Sequence, residues 1–152
     1  MLSIIVAKAK NNVIGKNDEL IMKLPAESKK FRELTEGKNV IMGRKTYDIL
    51  GKYLRERNVI VFSNNPDFRV STPNAKVVHS MLEIQQYIED KNENYVIGGA
   101  MIYRLLMQYV TKLYVTEVKK GSRGPKITVS RTHPDLVKRL FEKEVTEIAD
   151  GT

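Results

Sequence analysis

Residues 24–50 of this chain read LPAESKKFRELTEGKNVIMGRKTYDIL, and they predict a helix, a buried strand and a second helix in succession. Residues 26–36 favour a helix, and Gly37 is a typical helix stop. Residues 39–42 are a short apolar run, as expected of a buried strand. The second helix opens at residue 44. This order of elements is typical of α/β folds.

One carboxylate lies on the apolar face of the first predicted helix. Glu27, Phe31 and Leu34 are spaced i, i+4 and i+7, so they share a face. If that face is buried, the loss of water favours the neutral carboxyl group and raises its pKa. Such a group accepts hydrogen bonds from an amidine-like ligand, or handles a proton near neutral pH. The alternative is an ordinary first-turn carboxylate that complements the helix dipole in solvent.

Apolar strand patterns and helical patterns alternate along most of the remaining sequence. The predicted strands are residues 2–7, 59–62, 75–79, 95–97 and 112–118, and the predicted helices are residues 81–90 and 100–109. In the helix at residues 81–90, one side is predicted to carry Leu82, Ile84, Tyr87 and Ile88. Residues 127–129 are a candidate short strand. Residues 136–148 have spacing closer to helical than to alternating, with a charged edge strand as the alternative. The pattern predicts a mostly parallel central sheet with helices on both faces.

The composition limits the classes of protein. A chain of 152 residues with 41% hydrophobic residues predicts a single domain, residues 1–152, with a proper core. The absence of cysteine excludes disulfides and thiolate chemistry. No apolar run approaches the roughly 18 residues of a membrane span, and the N-terminus lacks signal-peptide features, so we expect a cytoplasmic protein without a membrane partner. The net charge of +8 favours an anionic ligand, but scattered basic residues argue against nucleic acid.

Three candidate ligand sites follow predicted strands: Gly43-Arg44-Lys45-Thr46 and Gly98-Gly99, which are typical of phosphate binding, and the hydroxyl and amide pair Ser63-Asn64. Ligands of open α/β sheets bind at the carboxyl ends of strands. Glycines there let a phosphate approach the backbone. The alternatives are an ordinary helix start for Gly43-Arg44-Lys45-Thr46 and a tight strand-to-helix turn for Gly98-Gly99.

The pieces in this order resemble the dihydrofolate reductase family. The similarity extends over residues 1 to about 118. The stretches that carry it are Ser3-Ile4-Ile5-Val6-Ala7, Asn12-Val13-Ile14-Gly15, Leu24-Pro25-Ala26-Glu27 with Phe31, Val40-Ile41-Met42-Gly43-Arg44-Lys45-Thr46-Tyr47, Arg57, Val96-Ile97-Gly98-Gly99 with Tyr103, and Leu113-Tyr114-Val115-Thr116. The resemblance implies a three-layer dihydrofolate-reductase-like α/β fold. It also implies NADPH-dependent reduction of dihydrofolate to tetrahydrofolate, for one-carbon and thymidylate synthesis.

The resemblance implies a catalytic group of Glu27, Leu20 and Met22. Glu27 would bind the pterin's amino group and N3–H and promote protonation of N5, and Leu20 belongs to a lid. The substrate site would comprise Ile5, Val6, Glu27, Phe31, Leu50, Leu54, Arg57, Ile97, Tyr103 and Thr116. Arg57 would grip the α-carboxylate of the substrate's glutamate, a task that suits a bidentate guanidinium.

The cofactor implied is NADPH, and no metal site is expected. The cofactor site would comprise Ala7, Ile14, Gly15, Gly43, Arg44, Lys45, Thr46, Ser63, Asn64, Ile97, Gly98, Gly99, Ala100, Met101 and Ile102. Arg44 near the 2′-phosphate would favour NADPH over NADH.

The chain departs from the family pattern at several positions. Met22 replaces a usual tryptophan, Met101 stands where many members carry arginine, and the loop after Gly121 is basic. The sequence stops at Thr152, before the usual final strand, so we expect an atypical C-terminal part, either rebuilt or leaving an open sheet edge. A monomer is expected, with a dimer through that edge as the alternative. Two other functions remain open: a reductase-fold protein with weak or lost catalysis in a binding or structural role, and a related reductase of a pyrimidine or riboflavin precursor.

Overall fold

The computed structural model describes residues 1–9, 29–118 and 126–130 of the 152-residue chain. The strands are β1 (Leu2–Ala9), β2 (Asn39–Gly43), β3 (Asn58–Phe62), β4 (Ala75–Val78), β5 (Asn94–Gly98), β6 (Val110–Val118) and β7 (Lys126–Ser130). The helices are α1 (Lys29–Thr35), α2 (Arg44–Leu50), α3 (Met81–Glu89) and α4 (Ala100–Leu106), and 3₁₀ turns at Gly51–Tyr53 and Met107–Tyr109 follow α2 and α4. Within the described ranges, no helix is both long and apolar enough to cross a membrane.

The strands form one sheet in the order β4-β3-β2-β5-β1-β6-β7. Every neighbouring pair from β4 to β6 is parallel, and β7 runs antiparallel to β6. The predicted mostly parallel α/β sheet is therefore confirmed, and the candidate strand at residues 127–129 is confirmed as part of β7. The predicted helical segment at residues 136–148 lies outside the described residues. Because β1 to β6 are parallel, their carboxyl ends meet at one edge of the sheet.

Side chains alternate between the two faces of the sheet, and each face is covered by its own apolar cluster. The cluster under α1 and α2 contains Ile5, Phe31, Val40, Met42, Leu50, Leu54, Val59, Val61 and Ile97. The cluster under α3 and α4 contains Ile4, Ile41, Ile60, Ile84, Tyr87, Val96, Ile102, Leu106 and Leu113. Helices on both faces make the three layers that the sequence predicted.

Helix α3 buries a narrower face than predicted. Ile84 and Tyr87 are buried, but Leu82 is 85% exposed, so the prediction that Leu82 faces the core is wrong. Leu82 lies two residues before Ile84, which is about 200° around a helix, so the two side chains cannot share a face. Met81 and Ile88 pack at the margin of the cluster instead.

The amino ends of β1, β2 and β5 are tied together by one buried amide. The Nδ2 group of Asn94 donates to the carbonyl oxygens of Met1 at 3.2 Å and Tyr87 at 3.1 Å. Its Oδ1 accepts a hydrogen bond from Asn39 Nδ2 at 2.8 Å. These hydrogen bonds fix the amino ends of the three strands. The ligand site can therefore lie at the opposite edge, at the carboxyl ends.

Candidate active site

The three candidate ligand sites lie side by side. Strands β3, β2 and β5 are neighbours in the sheet, so the turns at their carboxyl ends are also neighbours. A Cβ atom placed on Gly43 would lie 3.0 Å from Ile102 Cγ1 and 3.8 Å from the backbone nitrogen of Gly99. The turn after β2 therefore packs directly against the turn after β5.

The Gly98-Gly99 turn needs glycine for two different reasons. Gly98 has φ +125°, a conformation that side chains rarely tolerate, and its added Cβ would lie 3.3 Å from the hydroxyl of Tyr103. The peptide bond between the two glycines is cis. At Gly99, the sole described atom that an added Cβ would meet is Thr46 Oγ1, at the ordinary contact distance of 3.8 Å. The backbone at Gly99 thus borders space into which a ligand can approach.

Basic and polar side chains surround these turns. Arg44 and Lys45 are exposed at the start of α2, while Thr46 is fully buried behind them. After β3, Ser63 is buried and its Oγ accepts a hydrogen bond from the Asn65 N–H at 3.2 Å, whereas Asn64 is exposed. Within the described part of the chain, no carboxylate lies within 4.0 Å of the Arg44 guanidinium. Its positive charge is therefore available to an anionic ligand.

An apolar wall lies next to the turns on the α1 and α2 side of the sheet. It contains Ile5, Phe31, Leu50, Leu54 and Ile97, all buried in one cluster. Tyr103 belongs to the cluster on the other face, but its hydroxyl donates a 2.8 Å hydrogen bond to the carbonyl oxygen of Ile5. Burial raises the pKa of Tyr103, so its hydroxyl stays protonated and remains a donor.

A buried arginine stands at one end of this wall. Arg57 is 6% exposed, and its guanidinium lies 6.0 Å from the ring centroid of Phe31. Its Nε donates to Thr35 Oγ1 at 3.0 Å, and Nη2 donates to the carbonyl oxygen of Arg32 at 3.4 Å. Burial lowers the pKa of Arg57, although arginine keeps its charge in proteins. No carboxylate of the described ranges lies within 4.0 Å, and Glu36 and Glu56 stabilise the charge from farther away, so the guanidinium can still pair with a ligand carboxylate.

Other predicted site residues are placed only in part, or lie outside the described residues. The latter are Glu27, Leu20, Met22, Ile14 and Gly15. In the sheet, Ala7 pairs with Thr116, so the backbones of these two predicted site residues are adjacent, and Val6 pairs with the neighbouring Val115. Ala100 is the first residue of α4.

Met101 and Ile102 follow Ala100 and differ sharply in burial. Met101 is 64% exposed, so it can contact a ligand at the turn. Ile102 is buried, and its closeness to Gly43 shows that it packs the two turns together. No cluster of histidine and acidic side chains that could hold a metal ion occurs among the described residues.

Two residues near the turns were missed by sequence reasoning. His79 directly follows β4, and its Nδ1 lies 2.7 Å from the carbonyl oxygen of Ser63. Phe68 is buried in the loop after β3, with the guanidinium carbon of Arg44 4.9 Å from its ring centroid. The parallel pairing of Phe62 with Val78 sets His79 beside Ser63, and no sequence signal reveals that pairing.

Known proteins resemble this chain throughout most of its length. The family model described as dihydrofolate reductase matches residues 1–145. A dihydrofolate reductase of Enterococcus faecium is 43% identical over 120 residues, covering 78% of this chain and 71% of the relative. One of Bacillus subtilis is 35% identical over 124 residues, covering 82% and 73%. A solved dihydrofolate reductase from Enterococcus faecalis, in complex with NADP(H) and RAB-propyl, has a TM-score of 0.66 at 29% identity and covers 88% of this chain and 77% of its own.

Proposed function

This chain belongs to the dihydrofolate reductase family, and we infer from that membership that it is an oxidoreductase that reduces dihydrofolate to tetrahydrofolate with NADPH as its cofactor. The product serves one-carbon and thymidylate synthesis. The observation that carries the choice of substrate is Arg57, a buried cation at the end of an apolar wall. A flat aromatic ligand with a carboxylate tail fits such a surface, because the apolar wall covers the faces of its rings and the guanidinium neutralises the tail.

The turns at the carboxyl ends of β2, β3 and β5 fit a phosphorylated dinucleotide. Open space beside Gly99 would admit the pyrophosphate close to the backbone. The exposed basic side chain of Arg44 suits the 2′-phosphate, and with it the choice of NADPH over NADH. We assign the cofactor contacts to the following residues: Ala7, Ile14, Gly15, Gly43, Arg44, Lys45, Thr46, Ser63, Asn64, Ile97, Gly98, Gly99, Ala100, Met101 and Ile102.

The reaction adds a hydride and a proton across the C6=N5 bond of dihydrofolate, and bound NADPH supplies the hydride. Glu27 is proposed to accept hydrogen bonds from the pterin's amino group and N3–H and to promote protonation at N5. Leu20 and Met22 are assigned to the lid that closes over this centre. The remaining substrate contacts are assigned to Ile5, Val6, Phe31, Leu50, Leu54, Arg57, Ile97, Tyr103 and Thr116. Their apolar members exclude water, which strengthens the interaction between the carboxylate and the pterin.

We also propose a single domain over residues 1–152 that acts as a monomer in the cytoplasm without nucleic acid. The two apolar clusters share one sheet, which supports one folding unit for the described part. The basic residues are scattered along the chain, which supports small anionic ligands rather than nucleic acid. Equilibrium sedimentation with and without duplex DNA tests the monomeric state and the lack of nucleic-acid binding, because a dimer or a DNA complex would raise the measured mass.

The experiment that tests the function is NADPH oxidation with and without dihydrofolate. The wild type should oxidise NADPH only when dihydrofolate is present. Glu27→Gln keeps the shape of the side chain and removes its charge, so turnover at neutral pH should fall about 100-fold or more. Glu89→Gln is the matched control, because Glu89 is an exposed carboxylate on α3 that accepts a hydrogen bond from its neighbour Gln85.

Two outcomes of this assay would contradict the proposal. A folded wild type without folate-dependent oxidation would leave a binding protein with lost catalysis, the alternative suggested by Met22 and Met101. Full activity of Glu27→Gln at neutral pH would remove the role assigned to the carboxylate, while the overall function would stand.

A further inference from the structure

The side chain of Arg44 is held by an aromatic ring. Its guanidinium carbon lies 4.9 Å from the ring centroid of Phe68, which is a cation–π contact. The guanidinium makes no hydrogen bond or ion pair with another described residue. An exposed arginine has many rotamers, and a ligand must order them before it can use the charge. The ring of Phe68 restricts that freedom in advance.

Phe68 is itself firmly positioned. It is 9% exposed, and its ring packs edge-on against Tyr47, with 6.3 Å between centroids and an angle of 85°. Its backbone N–H donates to the carbonyl oxygen of Asn65 at 3.2 Å. Tyr47 and Arg44 are three residues apart on α2, so the same helix carries both neighbours of the ring.

The loop that carries Phe68 is tied to α2 through the hydroxyl of Tyr47. That oxygen accepts the N–H groups of Ser71 at 3.0 Å and Thr72 at 3.1 Å, and it lies 2.8 Å from Thr72 Oγ1. Burial raises the pKa of Tyr47, but these hydrogen bonds outweigh it and hold the pKa below the ordinary value. The loop, the ring and the guanidinium therefore form one connected unit at the start of α2.

We propose that Phe68 is a positioning residue that holds Arg44 ready for the cofactor's 2′-phosphate, and so determines the preference for NADPH over NADH. The proposal rests on the proposed function, since it takes Arg44 as the 2′-phosphate residue. Phe68 acts through Arg44 and does not contact the cofactor. Losing the ring should weaken NADPH binding and leave NADH binding unchanged, because only NADPH carries the group that Arg44 recognises.

The test compares two substitutions of the ring by isothermal titration calorimetry. Phe68→Leu keeps an apolar side chain against Tyr47 but has no π face, and the NADPH-to-NADH affinity ratio should fall about two- to fivefold. Phe68→Tyr keeps the π face and should retain the wild-type ratio. Val70→Ala is the matched control, because Val70 packs on the same cluster from the same loop and should weaken packing without changing the ratio.

A double-mutant cycle separates positioning from general loosening of the loop. Arg44→Ala should lose most of the preference for NADPH, and adding Phe68→Leu to it should change the ratio no further. Equal loss of NADPH and NADH affinity in Phe68→Leu, or an unchanged ratio, would overturn the proposal. Calorimetry needs no turnover, so a wild type that fails to reduce dihydrofolate would contradict the proposed function and still leave the role of Phe68 measurable.

Discussion

Replacing Arg57 with alanine removes the cation that we assign to the substrate's carboxylate. The guanidinium has five N–H groups, and two of them donate to Thr35 and Arg32, which leaves three. A bidentate contact with a carboxylate needs two. The side chain can therefore keep its internal bonds while it binds a ligand carboxylate.

The expected loss follows from the two bonds removed. A hydrogen bond to a charged group contributes about 1.5–3 kcal/mol, and every 1.4 kcal/mol is roughly tenfold in affinity. Water solvates part of the freed carboxylate, so we expect each of the two lost hydrogen bonds to cost the lower value, about 1.5 kcal/mol. Together they correspond to a rise of about 100-fold in KM for dihydrofolate. Arg57→Lys keeps the charge but cannot form the bidentate contact, so its KM for dihydrofolate should rise about tenfold. KM for NADPH should not change in either variant.

The decisive assay compares dihydrofolate with a dihydropterin that lacks the glutamate tail. Wild type and Arg57→Ala should reduce the truncated pterin equally well, because this substrate has no carboxylate for Arg57 to bind. Arg55→Ala is the control, because Arg55 is exposed two residues earlier and should leave both substrates unaffected. Arg57→Ala also removes the bonds to Thr35 and Arg32, so the melting temperature should fall, although Thr35 still donates to the carbonyl oxygen of Phe31 at 2.7 Å. Equal losses with both pterins would refute the assigned role and indicate a damaged fold.

Two further predictions concern the glycine turn and the buried tyrosine. Gly99→Ala should leave stability nearly unchanged, yet its Cβ would intrude on the pyrophosphate and weaken NADPH binding about 10- to 100-fold by calorimetry. Gly98→Ala should instead lower the free energy of unfolding by about 1–3 kcal/mol, because alanine rarely adopts φ +125°. Similar effects of the two substitutions on stability and binding would contradict this contrast. Burial raises the pKa of Tyr103, so above pH about 10 only the unfolded chain ionises it, and stability should fall by about 1.4 kcal/mol per pH unit from this group. Urea titrations of wild type and Tyr103→Phe at rising pH should show a smaller alkaline loss in the variant, and parallel curves would contradict the assignment.

The local elements could be predicted because each depends on residues near it in the chain. Apolar runs identified β1, β3 and β5 within a few residues, and a capping serine, Ser80, marked the start of α3. The order of the strands could not be predicted in the same way. Strand β1 lies between β5 and β6, and that placement depends on contacts with residues some ninety positions later. The prediction for Leu82 was wrong because a residue two positions before Ile84 lies on the opposite side of a helix, as its 85% exposure shows.

The parts of the candidate site that could be predicted are those marked by residues close to them in the sequence. The turns at Gly43 and Gly98 were found from strand, glycine and helix signals that lie within a few residues. Arg57 came only from the family resemblance, since nothing in its neighbours marks a buried arginine. Phe68 and His79 could not be predicted as site residues. Their contacts with Arg44 and Ser63 form only when β3 pairs with β4 and the loop between these strands folds.

Strand β5 connects the two halves of the site, and this makes their separation testable. The side chain of Ile97 lies in the apolar wall, while Gly98 and Gly99 form the turn beside Thr46. The hydroxyl of Tyr103 lies against Gly98 and donates a hydrogen bond to the backbone of β1, so this side chain links the end of β5 to the neighbouring strand. A change that shifts this strand must therefore disturb substrate and cofactor together. Arg57 and Phe68 lie before and after β3, away from this shared strand, so a change at either should affect one ligand alone.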